Sequence, residues 1–315
     1  MMNVDFQDRL TILVCSCDAY ADLWKPFFTL LKKYWDTKDI PILLNTETID
    51  FSFEGLPVEC VHFSPEAAYG ERMIHALAQI KTPYTLLLLD DFFIRKEVDA
   101  RRIEEIIRWM DADQDIICFN TDPNIVYADW EINKYPGFRR ITPGNNFALS
   151  MQAGIWRTEG LKKYWRPKVS PWEWETYCNV LTTRYPGDKF YCTLENAEQF
   201  IDYGHYGYGT LWGVVQGKWI LEDVQPLFEK EGIEMDFSIR GDYYKSEKKS
   251  PLGSLDTRKE QFSLVFRSMG GVVTVCYFFF RLRNKFVRSV LGKSVQSDYF
   301  LALKDRAKNK FLLSR

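Results

Sequence analysis

The chain has 315 residues, of which 46% are hydrophobic, 16% aromatic and 27% charged. That length and composition exclude a disordered or low-complexity protein and allow one large α/β domain with an appendage, or two domains. The formal net charge of -2 conceals an asymmetry: from residue 261 onward eleven Lys or Arg face two acids, whereas 30 face 41 before it. An acidic body with a basic tail implies an anionic surface as the tail's partner. Seven cysteines without a repeated spacing fit reduced thiols in a cytosolic protein, and the first residues show no basic or apolar leader pattern.

Thr11 to Cys17 reads as a first strand that runs into Ser16, Asp18 and Tyr20. A helix follows from about Asp22, with Leu23, Phe27, Leu30 and Leu31 at helical spacing and Pro26 in its first turn. Pro41 to Asn45 is a second strand, leading to Thr46-Glu47, and Val58 to Phe63 is a third. Glu66 to Ile80 is helical. The segment Pro83 to Ile94, Pro-Tyr-Thr-Leu-Leu-Leu-Leu-Asp-Asp-Phe-Phe-Ile, is then a short apolar run of the kind a fully buried parallel strand shows. Asp99 is placed to cap the next helix, and Asp115 to Asn120 returns as a strand. Strands alternating with helices predict βαβ units and an α/β fold with a mostly parallel, Rossmann-like sheet over about the first 120 residues.

Asp90 and Asp91 fall where that buried strand emerges, at the carboxyl edge where open α/β sheets bind ligands. Two readings stand for the pair. Either the carboxylates share a hard cation, Mg²⁺ or Mn²⁺, with nucleotide phosphates, or one caps a helix and the other is solvated.

Residues 121–222 are dense in Trp, Tyr, Gly and Pro. Such chain suits binding loops whose aromatic faces pack on sugar rings, or an α+β subdomain with an aromatic core. Residues 240–261 read as a polar linker, and 262–315 as a basic, amphipathic helical tail. Within the tail, Ser268 to Phe280 is apolar and is followed by Arg281, Arg283, Lys285 and Arg288. As a helix that run spans about 20 Å against roughly 30 Å of hydrocarbon, too short to cross a bilayer. It suits an interfacial helix on anionic lipid, or one docked on protein. Nothing in the tail matches a nucleic-acid-binding module.

The first strand with Cys-Ser-Cys-Asp-Ala-Tyr, the second with Thr46-Glu47, and Leu-Leu-Leu-Leu-Asp-Asp together resemble GT-A-fold nucleotide-sugar glycosyltransferases. More closely, they resemble bacterial transferases of surface polysaccharide and lipopolysaccharide. Ser150 to Arg157 and Ser170-Pro-Trp-Glu-Trp-Glu175 support the likeness, which covers about residues 10 to 230.

The resemblance implies a GT-A domain over 1–239, with a nucleotide-binding half (1–120) and an acceptor-binding half (121–239). Ser16, Asp18 and Tyr20 would meet the nucleotide, Glu47 its ribose or base edge, and Arg72 and Lys218 the donor phosphates. Asp90 and Asp91 match the acidic metal-binding motif, with Asp91 the direct contact. An Asp-x-Asp motif needs an acid at 92, where this chain has Phe92, so the number of carboxylate ligands is open. Glu175, or else Glu173, matches the catalytic base that takes the acceptor's proton. Ser150, Gln152, Trp172 and His205 would bind acceptor, and Arg157 a phosphate or a core acid.

The function implied is an inverting glycosyltransferase using a nucleotide-diphosphate sugar, UDP-linked first, and a surface-glycan or lipid-linked acceptor. It would be cytoplasmic and peripheral at the inner membrane face, with no nucleic-acid partner. The alternatives are a nucleotidyltransferase acting on sugar phosphates and a non-catalytic, membrane-associated glycan-binding scaffold.

Overall fold

The computed structural model describes residues 6, 8–123, 134–144, 147–176, 178–194, 197–206, 209–210 and 212–243. Most of the expected linker, the whole expected tail and the side chain of His205 lie outside the described residues.

The expected βαβ units form. Strand β1 (Leu10–Cys15) buries all six side chains, as a run covered by helices on both faces must. Helix α1 (Ala21–Tyr34) buries Leu23, Trp24, Phe27, Phe28, Leu30 and Leu31, and Pro26 falls inside it rather than in its first turn. Strands β2 (Ile42–Thr46) and β3 (Val58–His62), helix α2 (Tyr69–Gln79), β4 (Tyr84–Leu89), helix α3 (Ala100–Ala112) and β5 (Ile116–Asn120) follow in order. Asp99 caps α3 by accepting the Arg102 N–H at 3.0 Å.

Strand β4 ends at Leu89, so Asp90 and Asp91 leave it at the sheet edge, as expected. The apolar run is part strand and part buried loop, because Phe92 turns onto Tyr203 (ring centroids 5.5 Å apart) and Phe93 onto Phe228 (4.9 Å). Helix α5 (Pro171–Thr176) is followed by a 3-10 stretch, Cys178–Arg184, so Glu175 lies near a helix end.

The sheet continues past residue 120. Strands β6 (Phe138–Ile141), β7 (Gly154–Arg157) and β8 (Lys189–Thr193) complete an eight-stranded sheet of order β3-β2-β1-β4-β7-β5-β8-β6. Strand β7 is antiparallel to both β4 and β5, and β6 is antiparallel to β8; the other pairings are parallel. Helices α4 (Thr158–Tyr164) and α6 (Leu221–Glu231) complete the description. This is the mostly parallel, Rossmann-like sheet flanked by helices that the GT-A resemblance implies. Much of the aromatic density after residue 121 is core: Phe119 stacks on Tyr191 at 4.8 Å, with Tyr135 and Phe138 edge-on to it.

The carboxyl ends of β1, β2, β4 and β5 share one edge, because these strands run in one direction. That edge carries Ser16, Glu47, Asp90 and Thr121.

Candidate functional site

Strands β1, β2 and β4 deliver the expected nucleotide-side residues to this edge. The Asp18 carboxylate accepts the N–H groups of Glu47 and Thr48, each at 2.9 Å, and the Thr48 hydroxyl at 2.6 Å. In return the Asp18 N–H donates to Glu47 Oε2. Glu47 Oε1 pairs with Arg72, whose guanidinium lies 5.6 Å from the Tyr69 ring. Glu47 therefore joins Asp18 to Arg72 and fixes the loops after β1 and β2. Arg72 Nε is buried without a partner.

Asp90 is 3% exposed and accepts the Ser16 hydroxyl, while Ser16 Oγ accepts Trp24 Nε1–H at 2.7 Å. Burial, and then the neighbouring Asp91 charge, hold its pKa well above the carboxylate range. Asp91 is half-buried, and burial pushes its pKa up to about 7. Its carboxylate makes no side-chain hydrogen bond among the described residues, and the Arg240 charge opposes the rise. Its carbonyl accepts the Gly213 N–H at 2.9 Å, and no side chain fits at 213: a Cβ there would lie 2.6 Å from Asp91 O and 2.3 Å from the Phe93 ring.

Among the described residues no group of three or more His, Cys, Asp or Glu is placed to hold a metal ion. The donor set still fits a hard cation. Beside Asp90, Asp91 offers a carboxylate with no side-chain hydrogen bond among the described residues, and Mg²⁺ or Mn²⁺ takes the rest of its shell from phosphate and water.

A residue placed in the linker by its sequence belongs to this edge. The Arg240 guanidinium lies 4.5 Å from the Tyr20 ring centroid, pairs with Asp22 through Nε (2.8 Å) and Nη2, and donates to Ala19 O at 2.7 Å. It also reaches the carbonyl of Gly217 at 3.4 Å, next to the half-buried Lys218. Tyr20 itself is half-buried; burial and the Asp91 charge push its pKa up to about 12. No local signal marks Arg240, because the contact spans 218 residues of sequence.

A second cluster lies at the same sheet edge. Leu87 pairs with Gly154, and the strands are antiparallel, so Asp90 and Met151 each fall three residues beyond that pair at the same edge. Met151 N–H donates to Glu175 Oε1 at 2.6 Å, and the Ser150 hydroxyl does so at 3.3 Å. Burial raises the Glu175 pKa to about 7, with those two hydrogen bonds opposing and Asp122 adding to the rise. Asp122, which the sequence reading did not single out, is buried at the end of β5. Gln152 Oε1 is buried without a partner, although its N–H donates to Ser150 Oγ at 3.2 Å.

Glu173 is engaged differently. Its carboxylate accepts the Ser170 N–H at 2.7 Å and Ser170 Oγ accepts the Glu173 N–H at 3.3 Å, a capping box for α5. The two tryptophans diverge: Trp174 is buried and stacks on Trp165 at 4.6 Å, whereas Trp172 is 71% exposed. Arg157 points to the other end of the sheet, where it donates to the carbonyls of Met110 (2.6 Å) and Ile116 (3.2 Å). His205 falls in a two-residue ladder with Thr210.

No protein-family model matches the chain, and no curated protein matches it. Among solved structures it is similar to TarS of S. aureus, at 12% identity and a TM-score of 0.41, with 74% of this chain aligned to 41% of that one. The chain thus spans about two fifths of the length of TarS. A TarS fragment in complex with UDP-GlcNAc aligns at 12% identity and a TM-score of 0.40, covering 81% of this chain and 78% of that one. UDP-glucose pyrophosphorylase complexed with UDP-glucose aligns at 9% identity and 0.39, covering 59% and 90%. Likeness at this level says nothing about chemistry, which rests on the site residues.

Proposed function

We propose that the chain is an inverting glycosyltransferase that takes a sugar from a nucleotide diphosphate, UDP-linked, to a surface-glycan or lipid-linked acceptor. The observation that carries this is that one sheet edge carries both the Asp91 carboxylate, with no side-chain hydrogen bond among the described residues, and the buried Glu175, held by the Met151 N–H and with a pKa near 7. A phosphate-side carboxylate on the same sheet edge as a carboxyl tuned for proton transfer is what sugar transfer to a hydroxyl needs.

In this reading Asp91, with Asp90 behind it, would hold Mg²⁺ or Mn²⁺. The cation supplies charge neutralisation to the leaving diphosphate. Glu175 takes the acceptor hydroxyl's proton as that oxygen bonds to the anomeric carbon from the face opposite the nucleotide. Met151 N–H and Ser150 Oγ hold the carboxylate for that transfer. Gln152 Oε1 accepts a hydroxyl of the substrate, and the exposed Trp172 offers a flat face to an acceptor ring. Glu173, committed to the cap of α5, leaves the base role to Glu175. Lys218 and Tyr20 border the donor. The basic tail keeps the enzyme at the inner face of the cytoplasmic membrane, near a lipid-linked acceptor. No helix among the described residues is long and apolar enough to cross a membrane.

The test is the identity of the released product. With a panel of UDP-sugars and glycan acceptors the reading expects UDP and an elongated glycan. Release of pyrophosphate from UTP and a sugar phosphate would instead establish a nucleotidyltransferase, and no turnover or nucleotide binding a scaffold.

A further inference from the structure

The described chain ends with a segment that returns to the nucleotide edge. After α6 it makes a 3-10 turn, Phe237–Ile239, and then runs beside Trp219: Trp219 N–H donates to Gly241 O at 3.0 Å, and Tyr243 N–H to Trp219 O at 2.8 Å. Trp219 is buried against Phe93, Phe228 and Phe237. This packing sets the backbone on both sides of Arg240, so its guanidinium is delivered to one place.

That place is the face of Tyr20. The Arg240 side chain is only 8% exposed, and its fork is aligned by Asp22, Ala19 O and Gly217 O while its Cζ lies over the ring at 4.5 Å. A guanidinium that forms a bidentate pair and also stacks is a shape-specific device, because Lys supplies charge without the fork or the plane. Tyr20 packs in part on the core and stays half-buried overall, and the charges of Asp91 and Asp90 reach its hydroxyl.

We propose that Arg240 is a positioning residue for the donor. It fixes the Tyr20 ring and the turn after β1 as the platform on which the nucleoside of the diphosphate rests. This rests on the donor reading above and adds to it that nucleotide affinity is set from the far end of the domain. Asp22 orients the guanidinium, and the guanidinium on Tyr20 forms the platform. An ion pair alone, by contrast, would act only as a staple between α1 and the returning segment.

A charge swap separates these two roles. UDP affinity with Mn²⁺ is measured calorimetrically, and melting temperature alongside, for the full chain, Arg240→Lys, Arg240→Gln and the double variant Asp22→Arg/Arg240→Asp. The proposal expects UDP binding about tenfold weaker in Arg240→Lys and Arg240→Gln, the order of a lost cation–π contact with its ring alignment. It expects the swap, which rebuilds the ion pair with the guanidinium on another residue, to regain melting temperature without regaining UDP affinity. Recovery of both by the swap would reduce Arg240 to a staple, and unchanged UDP affinity in folded Arg240→Gln would overturn the proposal while leaving the donor reading intact. Failure of the unaltered chain to bind UDP would remove the donor reading and this one together.

Discussion

The backbone N–H of Met151 donates to Oε1 of Glu175 at 2.6 Å, so the chain just before β7 holds a carboxyl carried by α5. That hydrogen bond lowers the proton affinity of Glu175, and burial outweighs it, leaving the pKa at about 7. A base must be ionised to accept a proton. kcat/KM is therefore expected to fall about tenfold per pH unit below about pH 7 and to level off above it. A profile flat from pH 5 to 8 would remove Glu175 from the role.

The same carboxyl links stability to pH with the opposite sense. Its folded pKa lies above the ordinary value of 4.5, so its neutral form stabilises the fold at low pH. That contribution is lost as pH rises through about 7. Glu175→Gln, which mimics the neutral form, is expected to be more stable than the natural chain at pH 8 by up to about 3 kcal/mol, with the gap closing by pH 5. Urea titrations at the two pH values check this.

Ser16 serves two buried groups, Asp90 and Trp24. Ser16→Ala leaves the Trp24 indole N–H buried without an acceptor, an expected cost of about 1–3 kcal/mol. Adding Trp24→Phe removes the unmet donor, so the double variant is expected to cost less than the sum of the two single ones. Additive losses would mean that the hydrogen bond contributes nothing.

Much of this site is legible in the sequence, and the reasons differ by residue. Asp90 and Asp91 stand out because a continuous apolar run points at the edge where it stops. What lies beyond the strand is not legible, since Phe92 and Phe93 are as apolar as β4 while packing as loop. Strand β7 is hidden for another reason: it enters antiparallel between β4 and β5, which no local periodicity reveals. The capping role of Glu173 is local, carried by Ser170 three residues before it, and was readable. Arg240 was not, because its partners lie at the start of the chain.

If Asp91 holds the cation, its carboxylate should make UDP binding depend on metal. Mn²⁺ is expected to strengthen UDP binding to the natural chain and to have little effect in Asp91→Asn, with Asp90→Asn intermediate. Calorimetric titrations with and without the metal decide it. An equal Mn²⁺ effect in Asp91→Asn would transfer the ligand role elsewhere.

The close approach of Gly213 to Asp91 predicts a steric effect on the site. In Gly213→Ala the new Cβ meets Asp91 O and the Phe93 ring well inside contact distance. A loss of about 1–3 kcal/mol is expected, as for other overpacked positions, together with weaker UDP binding. Stability and affinity like those of the natural chain would show that the turn after β4 moves freely.

The basic tail is tested by its removal. Flotation of the full chain with anionic liposomes, and its loss on deleting residues 262–315, is the expected pair of results. Equal flotation of both forms would place membrane contact elsewhere.

The most direct test of the account is Glu175→Gln assayed twice on the same preparation, once for UDP affinity and once for sugar transfer from the donor that the natural chain uses. The account predicts UDP affinity within about twofold of the natural chain and transfer reduced about 10²- to 10⁴-fold, the usual contribution of a positioned general base. Transfer at the natural rate, with UDP binding unchanged, would contradict it.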